Sequence, residues 1–274
     1  MPSSNPAFSR GFGGAGNGQQ QYAGWGSQPQ SQSQYGAPAQ YDPYAAPSPY
    51  AATTTRYMTM DDVVAKTGIS FLVTVLAAAA VWALPGSAAW ALALPAALVA
   101  FVLGLVIAFK QIANPAATLA YGALYGVALG AISEAFNAVY PGIVMQALIG
   151  TFGVFAGMLF VYKTGAIRVT PKLTRWVVGA LIGALVLMLV NGLAAWIGGG
   201  DGLGLRSGGP AAILFSLVVI GVAAFMLLLD FDAADEAIRR GAPAKFAWYI
   251  AFGLLVTVVW LYLEILRLLS YFRE

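Results

Sequence analysis

From residue 59 onward, apolar runs of membrane-crossing length alternate with short polar or Gly- and Pro-containing breaks. A helix rises about 1.5 Å per residue, so a hydrocarbon core of about 30 Å takes roughly 20 apolar residues to cross. Seven stretches meet that length: 67–84, 89–109, 116–136, 143–162, 176–197, 210–229 and 246–269. Five carry no charge; the third holds Glu134, and the seventh holds Glu264 and Arg267. Their breaks fall at Pro85-Gly86, Asn114-Pro115 and Pro141-Gly142, and at the glycine-rich stretch 198–209, all turn-forming compositions. Ahead of the first run, Thr59 followed three residues later by Asp62 has the form of an N-cap, which predicts a first helix that begins in water. The short break between 84 and 89 leaves two readings, a tight hairpin or an apolar register that slides by a few residues. Glycines recur at four-residue intervals as Gly122, Gly126 and Gly130 in the third run, Gly153 and Gly157 in the fourth, and Gly179 and Gly183 in the fifth. Such faces let helix backbones approach closely where lipid gives no hydrophobic drive to associate. The pattern predicts an all-α membrane protein, a seven-transmembrane-helix bundle.

Residues 1–58 contain no such run. They are rich in Gly, Gln, Ser, Pro and Tyr, and bury too little apolar surface to offset the entropy lost on ordering. This composition predicts a disordered N-terminal tail ahead of a membrane domain at 59–274. The tail lacks the basic start and apolar core of a signal peptide, and its tyrosines set among Gln and Gly suit a weakly adhesive tether. Of the 14 Lys and Arg residues, all but Arg206, Arg267 and Arg273 fall ahead of the first run or in the loops after the second, fourth and sixth runs. Basic residues collect on the cytoplasmic side of a membrane protein. The asymmetry predicts a protein of the cytoplasmic membrane with its N-terminus inside and, given an odd number of spans, its C-terminus outside.

Composition narrows the chemistry. The chain is 59% hydrophobic and 9% charged, against roughly 25% charged in an average soluble domain. Cys and His are both absent, which removes disulfides, thiol nucleophiles, His-containing zinc sites and histidine bases together. A rhomboid-like Ser/His dyad and an H-E-x-x-H site are excluded on the same ground. Asp201, in GGGDGLGL, is expected in an outer loop rather than in a span, so an aspartyl intramembrane protease is not expected either. The reading is of a protein without catalytic activity or cofactor. A net charge of +3 is too small to point to nucleic acid. Proton sensing near neutral pH would fall to carboxylates, since the usual histidine switch is missing.

A carboxylate inside the hydrocarbon costs roughly 2.5–3.5 kcal/mol at a helix centre and tends to face the bundle interior. Four acidic residues are candidates for ion or proton handling: Asp230 and Asp232 at the end of the sixth run, Glu264 in the seventh, and Glu134 near the outer end of the third. Each has a structural alternative. Asp232, Asp235 and Glu236 suit a solvated helix end balanced by Arg239 and Arg240. Glu264 can pair with Arg267 one turn on, and Glu134 can reach the outer interface. Asp230 is the least easily explained, because an apolar run ends directly on it.

The strings LLLDFDAADEAI and WLYLEILRLLSYF, together with the turn at Tyr140-Pro141-Gly142-Ile143 and the run ALIGTFGVFAGMLFVYKTG, resemble the bacterial branch of the Bax inhibitor-1 family over about residues 59–274. The resemblance implies a seven-helix bundle with a central last helix, in which paired acids on the sixth and seventh helices form a pH-sensitive latch on a calcium leak. In this sequence those acids match Asp230 and Glu264, a Glu where bacterial relatives commonly carry Asp. The implied partners are the lipid bilayer, protons and Ca2+, the latter transported and held by Asp230 and Glu264 if they meet. Helix arithmetic sets a condition on that pair. Glu264 lies 18 residues beyond Phe246, about 27 Å along a straight helix and level with Glu134. Contact with Asp230 therefore requires a shifted seventh span, a bend near Gly253 or a longer lead-in. The alternative function is a non-transporting membrane regulator that binds other membrane proteins, such as proteases.

Overall fold

The computed structural model describes residues 56–273 except Pro85, Gly199 and Asp201. The expected tail, up to residue 55, and Asp201 lie outside the described residues. Seven helices are long and apolar enough to cross a membrane: α1 (Met60–Trp82), α2 (Gly86–Lys110), α3 (Pro115–Val139), α4 (Ile143–Thr164), α5 (Pro171–Gly198), α6 (Pro210–Arg239) and α7 (Ala247–Tyr271). A 3-10 turn, Ala244–Phe246, leads into α7. The expected all-α, seven-span architecture is what the chain adopts.

The boundaries follow local chemistry. Thr59 caps α1 through its side chain to the Asp62 amide, and the Asp62 carboxylate returns a bond to the Thr59 backbone, closing a capping box. Asn114 accepts from the Ala116 amide at 2.8 Å, and Pro115 fills the first position of α3. Gly142, at φ +83°, makes the turn into α4 after Pro141. The largest departure from the expected spans is α6, which runs ten residues past Leu229. Its extension is held by ion pairs one turn apart, Asp235 with Arg239 and Glu236 with Arg240. At 30 residues, α6 is about 45 Å long and projects beyond a hydrocarbon core of about 30 Å.

α7 is the inner helix. It packs against α1, α3, α4 and α6, and most of it is buried, whereas α5 rests chiefly on α6 and is mostly exposed to the surroundings. The central cluster joins Leu227 and Phe231 of α6, Leu255 and Leu261 of α7, and Ile107 of α2.

The glycine faces divide. At the α1–α3 crossing, a Cβ added at Gly126 would run into the Thr74 carbonyl and one at Gly130 into that of Ala78. Gly122 lies under the Thr74 side chain. By contrast, nothing lies within 4 Å of an added Cβ at Gly153, Gly157, Gly179 or Gly183. The close-packing reading holds for α3 and is corrected for α4 and α5, whose glycines face outward.

A clasp closes one end of the bundle. Met58 N donates to Ala242 O and Ala244 N to Arg56 O, each at 2.8 Å, so the strand ahead of α1 pairs with the α6–α7 loop. The Lys66 ammonium donates to the Ala244 carbonyl and stands over the Trp248 ring.

Candidate functional site

Asp230 is half-buried on α6, nine residues short of Arg239 and so roughly 14 Å along the helix from that end. The helix does not stop at Leu229, and Asp230 packs against α7 within the bundle. Its Oδ2 accepts a hydrogen bond from Thr257 Oγ1 of α7 at 2.7 Å. Thr257 is ten residues past Ala247, so the contact lies inside the bundle, roughly 14–15 Å from the ends of both helices at the clasp. The opposing α7 surface is Gly253, where an added Cβ would come within 3.9 Å of Asp230 Oδ1. Among the described residues, no Lys or Arg pairs with Asp230; its hydrogen-bond partner is a neutral hydroxyl.

The Thr257 hydroxyl has two acceptors within reach, Asp230 Oδ2 at 2.7 Å and the Gly253 carbonyl at 3.2 Å. A hydroxyl carries one proton and two lone pairs. With Asp230 ionised, Thr257 donates to the carboxylate. With Asp230 protonated, the acid can donate to Thr257 Oγ1 while Thr257 donates to Gly253 O. The same heavy atoms therefore satisfy both protonation states, with the hydrogen bonds reversed.

Glu264 has a different environment. It lies seven residues, roughly 10 Å, further along α7 than Thr257, with 3% of its surface exposed. Its Oε1 meets Arg206 Nη2 at 3.1 Å and Arg267 Nη1 at 3.8 Å, while Oε2 is buried without a hydrogen-bond partner. Arg206 comes from the loop between α5 and α6, which is also held by Asn191 Oδ1 accepting from the Leu203 amide at 2.9 Å. Asp230 and Glu264 are thus not brought together, and no site with oxygens from both is assembled. α7 is not shifted enough for that contact, and Glu264 is instead close in height to Glu134, whose neighbour Ser133 bonds Tyr262 at 2.7 Å.

The other two candidates lie elsewhere. Glu134 is half-buried, its Oε2 within 3.9 Å of a Cβ built at Gly86, the first residue of α2. Unpaired amides and the helix dipole favour a carboxylate there. Asp232 shares a face with Asp235, Glu236 and Arg239 by helical spacing. Tyr162 of α4 donates to Asp235 at 3.2 Å, which ties that face to the bundle. Among the described residues, no cluster of three or more acidic side chains could hold a metal ion.

Two contributors escaped sequence reasoning. Thr257 gave a faint signal, a single hydroxyl in an otherwise apolar stretch four residues after Gly253. Arg206 gave a stronger one, the lone basic residue in its loop on the side where basic residues are rare.

No match was found among curated proteins. The sequence profile of the family described as Bax inhibitor 1 like matches residues 5–274. That span takes in both acid-bearing helices and all seven crossings; the chain is a multi-pass membrane protein belonging to the Bax inhibitor 1-like family.

Proposed function

We propose that the protein is a pH-modulated calcium leak, or cation permeation protein, of the cytoplasmic membrane, in which protonation of Asp230 sets the state of the α6–α7 contact. The observation that carries this reading is a carboxyl between α6 and α7 whose hydrogen-bond partner is the neutral Thr257 hydroxyl. Ionised, such a group is costly in hydrocarbon unless a proton or a cation neutralises it. Protonated, it closes a hydrogen-bonded chain from Asp230 through Thr257 to the Gly253 carbonyl. Deprotonated, it offers carboxylate oxygens to a hard cation such as Ca2+, with the Thr257 oxygen as a neighbouring ligand once its proton turns to Gly253.

Glu264 acts differently in this reading. Its pairing with Arg206 and Arg267 neutralises it, and it anchors the α5–α6 loop over one end of the bundle. In this reading the clasped end is cytoplasmic and the Glu264 end outside, an orientation supported by the basic residues around Lys66, Lys163 and Lys245. Purified protein in liposomes carrying a calcium dye inside tests the reading over about pH 6 to 8. Calcium flux that varies with pH in wild type and loses that dependence in Asp230→Asn is expected. An identical pH profile in both proteins removes Asp230 from the mechanism.

A further inference from the structure

On the Glu264 half of the bundle, a cleft of about 480 Å³ is walled by α1 and α4 and floored by α3 and α7. We propose that this cleft binds one acyl chain of a membrane phospholipid, entering sideways between α1 and α4 from the leaflet on that side.

Three observations fix the occupant. The first is chemistry. The lining is mainly apolar, and its four buried hydroxyls are already engaged within the protein. Thr74 donates to Ser70 O at 2.9 Å, Thr151 donates to Ala147 O at 2.7 Å, and Ser133 and Tyr262 bond each other at 2.7 Å. A polar solute would find three of the four hydroxyl donors spent, whereas hydrocarbon asks nothing of them. The second is access. Val75 on one wall and Met145 and Phe152 on the other are more than half exposed, on the lateral surface of a membrane-embedded bundle. The third is size. The lining runs along α1 from Phe71 to Trp82, roughly 16 Å of helix rise and about half of a 30 Å hydrocarbon core, the depth of one leaflet. At its outer end, Trp82 and Asn137 form the rim, where an aromatic ring and an amide suit the headgroup boundary. The volume lies within the range of about 300–1,000 Å³ usual for small-molecule sites.

The test uses the full-length protein in nanodiscs containing a trace of phosphatidylglycerol with a photoreactive diazirine on its acyl chain. After irradiation, labelled peptides are mapped by mass spectrometry. The expected result is labelling concentrated on the α1 and α4 walls and on Val258 and Val259 of the floor. Ala79→Trp, at an exposed lining position, closes the mouth from α1, and Met145→Trp closes it from α4; each should lower the cleft label by about fivefold or more. Leu76→Trp, on an exposed part of α1 outside the lining, should leave the label as in wild type. Unfolding temperatures close to wild type establish that the variants are folded. Labelling no denser in the cleft than on Leu185 and Val186 of the exposed α5 surface, or undiminished in both blocked variants, would overturn the proposal and leave only bulk lipid contact.

Discussion

Removing the two partners of the Glu264–Arg206 pair separately should have unequal consequences, because their burial differs. The Glu264 side chain is 4% exposed and that of Arg206 is 25% exposed. At 3.1 Å, the gross attraction is about 5 kcal/mol for an effective dielectric of about 20, and much of it is offset by desolvation. Arg206→Ala leaves a buried carboxylate with Arg267 at 3.8 Å and one oxygen already without a hydrogen bond. Its expected cost is about 3 kcal/mol, the lower end for a broken buried pair, since Arg267 remains. Glu264→Gln instead frees a guanidinium that can turn toward water, at about 1 kcal/mol. The double variant should resemble Glu264→Gln alone, because neither charge is then stranded. Thermal unfolding followed by tryptophan fluorescence in a fixed lipid mixture reads these as a fall of about 6–12 °C for Arg206→Ala and about 2–4 °C for Glu264→Gln. A larger fall for Glu264→Gln, or a double variant in which the two losses simply add, would refute the reasoning.

Two further outcomes follow from contacts already described. Gly130→Ala, which drives a Cβ into the Ala78 backbone, should cost about 1–3 kcal/mol in the same unfolding assay. Gly157→Ala has open space and should be neutral or stabilising by up to about 1 kcal/mol; equal losses at both sites would discredit the α1–α3 crossing. In the liposome flux assay, Thr257→Val should shift the pH profile, because a methyl group replaces the hydroxyl that serves both protonation states. Thr257→Ser should restore it, and identical profiles for Val and Ser would exclude the hydroxyl.

The crossings were legible because their signal is dense: about 20 apolar residues in a row admit few other readings in a chain this poor in charge. The α1 cap was legible because Thr59 and Asp62 are close enough in sequence to satisfy each other. The α6 extension was hidden by its charges, which suggest an end when counted as hydropathy. At four-residue spacing, Asp235–Arg239 and Glu236–Arg240 instead prolong the helix. Identical glycine spacing in α3, α4 and α5 carried no information about which face would meet a neighbour, since that depends on tertiary placement. The same holds for Arg206 and Glu264, 58 positions apart, whose meeting depends on a loop with no periodicity to read. The rise per residue alone did show that Glu264 would stand near the height of Glu134, and the Ser133–Tyr262 bond is in keeping with that.

The account turns on Asp230 exchanging its proton at the α6–α7 contact over the range in which permeation changes. Infrared difference spectroscopy of the reconstituted protein, recorded between about pH 6 and 8 and compared with Asp230→Asn, observes that exchange directly. The account predicts a protonated-carboxyl band in wild type that disappears as pH rises, in step with the change in calcium flux, and is absent from Asp230→Asn. A band of the same size in both proteins, or one that stays constant while flux changes, would contradict it.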